Sequence, residues 1–98
     1  MKELVLQGRK KECWFCGKKD GLHLHEIYFG SANRKISIEN GFQVYLCAFH
    51  HNLGGLGKCV HECREMDLEL KRACQKAYED KGHTRGEFIG LIGKNYLE

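Results

Sequence analysis

Polar and apolar residues alternate from Leu22 to Phe29, the two-residue period of a β-strand, which puts His23, His25 and Ile27 on one face and Leu24, Glu26 and Tyr28 on the other. Gly30-Ser31-Ala32-Asn33-Arg34-Lys35 breaks the alternation, and Asn40-Gly41 marks a turn. The run Phe42-Gln43-Val44-Tyr45-Leu46 then predicts a second strand leading into Cys47. After His51 and Asn52, Leu53-Gly54-Gly55-Leu56-Gly57 is too rich in glycine for a stable helix. At most a turn or two of helix is expected near His50 and His51, followed by a loop. From Glu65 or Asp67 the period changes: Met66, Leu68, Leu70, Ala73, Cys74, Ala77 and Tyr78 include the spacing of an amphipathic helix, closed by Lys81-Gly82. Thr84-Arg85-Gly86-Glu87 has the form of a capping box for a short helix carrying Phe88, Ile89, Leu91 and Ile92, and residues 93–97 would fold back onto the core.

Two strands followed by two helices make an α+β chain. Its 98 residues fit a single domain of a size at which an apolar core alone is often marginal and a metal or disulfides supplement it. There is no proline, no repeat and no low-complexity stretch to suggest a linker. Six cysteines could form a disulfide framework, but the start of the chain lacks the pattern of a secretory leader, so a reducing, cytoplasmic setting is expected. No apolar run approaches the roughly 18 residues that would span a bilayer. The net charge of +3 is a mild bias. It is uneven, however: residues 1–35 hold Lys2, Arg9, Lys10, Lys11, Lys18, Lys19, Arg34 and Lys35 against Glu3, Glu12, Asp20 and Glu26. That balance suits a phosphate-facing surface and equally suits solvated loops.

Candidate chemistry concentrates in two short pairs, Cys13-Trp14-Phe15-Cys16 and Cys47-Ala48-Phe49-His50. Side chains two residues apart in a tight loop can point at one ion, so each pair predicts a knuckle and the four ligands together a closed tetrahedral zinc site. Cys59 and Cys63, flanking His61, are a looser competing pair, and Cys74 reads as a small buried apolar residue on its helix. A closed zinc has no use for His25, Glu26, His51 and His61. These residues suggest a second, open divalent-metal site in which imidazoles hold the ion and a neighbouring base takes a proton from water. His23 reads as readily as a packed core residue.

This order of features resembles the HNH (ββα-metal, treble-clef) endonucleases in their zinc-containing form. The likeness covers residues 13–61, and Gly30 to Arg34, Cys47 to Asn52 and Phe88 to Leu97 are similar to small HNH-like proteins of bacteriophages and prophages. It implies a 1–12 N-terminal arm, a 13–61 zinc and ββα-metal core and a 65–98 helical extension. It implies that Cys13, Cys16, Cys47 and His50 are the structural zinc ligands and that His25, His51 and His61 bind a catalytic Mg²⁺, Mn²⁺, Ni²⁺ or Zn²⁺. Glu26 or His25 would activate water, and Asn33 or Asn40 would be the pinning asparagine. The implied reaction is hydrolysis of DNA phosphodiester bonds inside a host bacterium, the ion contacting the scissile phosphate and the leaving 3′ oxygen. A homodimer would be needed for concerted double-strand cutting, and a phage protein is a further candidate partner. Two departures stand out. Glu26 occupies a place where the family usually has histidine, and Gly55 one where a helical ligand would be expected.

Two other classes fit the same residues. One is a zinc domain that docks on DNA without cutting it. The other is a protein-interaction module presenting Trp14, Phe15, Phe42 and Phe49, which would otherwise pack the knuckle.

Overall fold

The computed structural model describes residues 4–30, 32–53 and 63–97, with the backbone alone at 52 and 53. Cys59, His61 and the glycine-rich stretch 54–57 lie outside the described residues. In chain order the elements are β1 (Leu22–Glu26), α1 (Asn33–Asn40), β2 (Gln43–Cys47), a π-helical turn (Phe49–Leu53), α2 (Arg64–Asp80) and α3 (Arg85–Ile92). The strands form an antiparallel pair with Leu22 opposite Cys47, His23 opposite Leu46, His25 opposite Val44 and Glu26 opposite Gln43.

β1 ends at Glu26, three residues short of the expected Phe29. Ile27 and Tyr28 explain the difference, because both are fully buried in succession and so abandon the in-out alternation of a half-exposed strand. The Asn40-Gly41 signal closes a helix that the sequence pattern does not reveal. The two isoleucines of α1, Ile36 and Ile38, stand two apart, and its buried residue is Ser37. Ser37 fixes the helix against the end of β1: its hydroxyl donates to the carbonyl of Tyr28 at 2.7 Å and accepts from the Tyr28 N–H at 3.1 Å. Gly41 then stops the helix in the left-handed region at φ 73°, a conformation that costs glycine little, and its N–H bonds the Ser37 carbonyl.

α2 begins at Arg64 and buries Leu70, Cys74, Gln75 and Tyr78. α3 carries the capping box foreseen at its start, with the Glu87 N–H donating to Thr84 Oγ1 at 3.0 Å and the Thr84 N–H donating to Glu87 Oε1 at 2.7 Å. α3 packs against α1 and α2. Phe42 sits at the centre of the core, with ring centroids 5.6 Å from Tyr28, 5.4 Å from Tyr78 and 6.2 Å from Phe88. Edge-to-face pairs of this kind add to the burial of large apolar area. Cys74 is buried as expected, and burial pushes its thiol up to about 12 despite a hydrogen bond with Tyr28, so it stays neutral.

The C-terminal segment does return to the core. Gln75 is wholly buried and donates from Nε2 to Asn95 Oδ1 at 2.8 Å, while its Oε1 accepts from the Tyr96 N–H at 2.8 Å. A buried amide with both ends satisfied avoids the desolvation cost that an unpaired one would carry. No described helix is long and apolar enough to cross a membrane.

Candidate metal centre

The first knuckle is a turn closed by its own backbone: the Gly17 N–H donates to the Cys13 carbonyl and the Cys13 N–H to the Lys18 carbonyl, both at 2.8 Å. Gly17 takes φ 78°, which lets the chain reverse directly after Cys16. The Trp14 N–H donates to the Tyr45 carbonyl at 2.9 Å and so ties the knuckle to β2. Gln7 of the preceding arm completes this anchor, accepting from the Tyr45 N–H at 2.8 Å and donating to the Glu12 carbonyl. No periodic signal in the sequence marks Gln7 for that part.

β2 delivers Cys47, and the π-helical turn delivers His50 three residues later. The ligand atoms of Cys13, Cys16, Cys47 and His50 all lie within 4.8 Å of one another. Cys16 Sγ is 3.8 Å from Cys47 Sγ, and His50 Nδ1 is 3.3 Å from Cys47 Sγ and 3.6 Å from Cys13 Sγ. Around one zinc with bonds of about 2.3 Å to sulfur and about 2.0 Å to nitrogen, tetrahedral edges are about 3.8 Å for sulfur pairs and about 3.6 Å for sulfur and nitrogen. These three separations match such edges to within a few tenths of an ångström, so the Cys₃His set fits a zinc ion, which would bind through Nδ1 of His50. The described cysteines are all free thiols.

The local electrostatics favour such an ion. Burial works to raise the Cys13 thiol, but backbone N–H groups of Cys47, Cys16 and Phe15 outweigh it and bring the group down to about 6. At Cys16 the backbone N–H of Lys18 favours the thiolate, yet burial and the neighbouring Cys13 and Cys47 sulfurs prevail and the thiol is pushed up. One thiolate forms readily, and further negative charge beside it calls for a cation. The His50 ring lies between Phe15 and Phe49, at centroid distances of 5.6 Å and 5.1 Å. Trp14 and Phe15 pack against the core and Phe42 is fully buried, whereas Phe49 remains half exposed.

His51, the next residue, meets a different group. Its ring is 5.3 Å from that of His25 and 5.0 Å from that of His23, and the Nδ1 atoms of His23 and His51 are 2.9 Å apart. His25 is buried and also lies 6.2 Å from the Phe29 ring. His23 is exposed, so the reading of it as a packed core residue is corrected: its imidazole meets His51 at the surface instead of entering the core. Its companionship with His51 could be anticipated from the i, i+2 spacing of His23 and His25 on β1.

The remaining candidates are held elsewhere. Glu26 projects from the opposite face of β1, where Oε1 is 3.2 Å from Arg34 Nε and Oε2 accepts from Gln43 Nε2 at 3.3 Å. Asn33 Nδ2 donates to the Ile92 carbonyl at the end of α3, and Asn40 Nδ2 donates to the Ile36 carbonyl one turn back in α1. Cys63 immediately precedes α2. A cavity of about 490 Å³ on the Glu26 side of the sheet is lined by Leu4, Gly8, Arg9, Lys11, Leu24, Gln43 and Tyr45.

Fold and site together define a small α+β protein with a two-stranded sheet and a Cys₃His cluster able to hold a metal such as zinc. Comparison with models of known families, with curated proteins and with solved structures found no match.

Proposed function

We propose that the protein is a metal-dependent DNA endonuclease or nickase of the HNH type, built on a treble-clef zinc centre. The observation that carries this reading is the approach of His25 on β1 to His51 on the π-helical turn, one residue beyond the Cys₃His cluster. The succession of knuckle, strand pair and helical turn, with zinc-type ligands at both ends of it, supports the treble-clef assignment. π-Helical turns are rare and are found frequently at functional sites.

In this reading His25 and His51 are the described residues that would hold the second ion. That ion would supply positive charge for a phosphate oxygen and for a leaving oxygen. His25, buried and fixed in the strand pair opposite Val44, orients the site. Glu26 reaches the base position only if it leaves Arg34 and Gln43, since successive strand residues face opposite sides. The basic residues Arg9, Lys10 and Lys11 of the arm offer charge for a DNA backbone.

Supercoiled plasmid incubated with zinc-loaded protein and Mg²⁺, Mn²⁺ or Ni²⁺ is expected to become open-circle or linear, and His25→Ala is expected to abolish the conversion. Glu26→Gln tests the base: on the order of a 100-fold fall in rate assigns it to Glu26, and an unchanged rate excludes Glu26.

The ion pair between Glu26 and Arg34 favours a second reading, a zinc domain that docks on DNA without cutting it. Salt-dependent binding with an intact plasmid under every metal would select that reading.

A further inference from the structure

We propose that His23 is a metal ligand which, with His51, chelates a divalent transition ion distinct from the one held by the Cys₃His cluster. The inference rests on the site assigned above and adds to it a donor and a metal class.

The geometry comes first. His23 Nδ1 and His51 Nδ1 are 2.9 Å apart, and the two rings meet edge to face with 84° between their planes. Two imidazole nitrogens about 2.1 Å from one ion stand about 3.0 Å apart when they bind at right angles and about 3.4 Å apart at a tetrahedral angle. The observed separation is that of adjacent ligands on an octahedral or tetragonal ion, and equally that of an N–H···N hydrogen bond in the ion-free pair. The two residues come from β1 and the π-helical turn, elements already held together by the strand pair and by Cys47 and His50. The chelate therefore shares the π-helical turn with the Cys₃His cluster and takes its other donor from the strand paired with β2.

The chemistry of the donors sets the metal class. His23 is exposed, so an ion can reach it from solvent, and the His25 ring lies 5.3 Å from that of His51. Among the described residues the Cys₃His set is the group of three or more whose donor atoms already converge, so His25 would join by rotation of its ring. Glu26, the carboxylate next to His25 in sequence, is engaged with Arg34 on the opposite strand face. Imidazole donors without carboxylate favour nickel, copper or zinc ions, whereas Mg²⁺ prefers oxygen ligands and keeps its water.

The test titrates Ni²⁺ into the full chain carrying one zinc, by calorimetry, with zinc content measured before and after. Wild-type protein is expected to take up one Ni²⁺ per chain while retaining its zinc, and a large excess of Mg²⁺ should not displace the nickel. His23→Ala and His23→Gln are each expected to weaken Ni²⁺ binding by about tenfold or more. Both variants should keep the zinc and the helical circular dichroism of the wild type, because the side chain is exposed. Unaltered Ni²⁺ affinity in the two variants, or nickel uptake only in exchange for zinc, would overturn the proposal. The same samples separate this inference from the nuclease reading. Nickel bound through His23 with plasmid left intact removes the nuclease and keeps the ligand, whereas equal cleavage by wild type and variants with equal Ni²⁺ affinity does the reverse.

Discussion

The Cys₃His cluster and the three-imidazole face share the π-helical turn, yet their chemistry diverges there at adjacent residues. His50 turns its Nδ1 toward the sulfurs of Cys13 and Cys47 and its ring lies between Phe15 and Phe49. His51 turns toward His23 and His25, one at the surface and one buried. The first set is complete, with four donors within 4.8 Å of one another and two of its cysteines buried. The second has its convergent pair at the edge of the sheet and open to solvent on the side of His23. A closed thiolate centre contributes to folding, while an open imidazole face leaves room for a ligand. The difference predicts that substitutions on the two sides will fail in different ways.

The largest expected effect falls on the closed side. Cys16→Ser should release the zinc and abolish cooperative thermal unfolding, since binding free energy at a structural zinc is folding free energy. The exposure of Cys16 makes the substitution informative, because no core cavity is created and the loss must run through the metal. A variant that keeps one zinc per chain and the wild-type melt would break the distinction between the two sides.

Substitutions remote from both donor sets should cost stability alone. Ser37→Ala removes a buried hydroxyl that both donates to and accepts from the Tyr28 backbone, and is expected to lower the unfolding free energy by about 1–3 kcal/mol in chemical denaturation. Thr84→Ala, which opens the capping box of α3, should cost about 1 kcal/mol by the same measurement. Zinc content should stay at one per chain in both. A loss of zinc from Ser37→Ala would show that the seat of α1 and the metal cluster are one cooperative unit, and would blur the comparison.

What the sequence revealed follows a physical divide. The strand pair, the amphipathic α2, the capping box and the two ligand pairs all rest on local period or spacing, and each is present. α1 escaped because its stability is non-local: Ile36 and Ile38 have a strand-like spacing, and the helix is set by Ser37 reaching the end of β1. The docking of the arm escaped as well, since Gln7 bonds Tyr45 of β2 and Val5 bonds Gly41, contacts between residues more than thirty apart in the chain. The exposure of His23 could not be read from alternation on β1, which puts it on the same face as the buried His25. Glu26 was singled out as a candidate base from its neighbour His25, but side chains of consecutive strand residues diverge, and Arg34 and Gln43 meet it on the other face.

Paired substitution of the adjacent histidines tests the central division most directly, with zinc content, thermal unfolding and plasmid cleavage read on the same preparations. His50→Ala is expected to lose zinc and cooperative unfolding together, and His51→Ala to keep both while cleavage falls by about 100-fold or more. If the two variants behaved alike, both unfolding or both retaining zinc and cleavage, the separation of a structural centre from an imidazole site would be wrong.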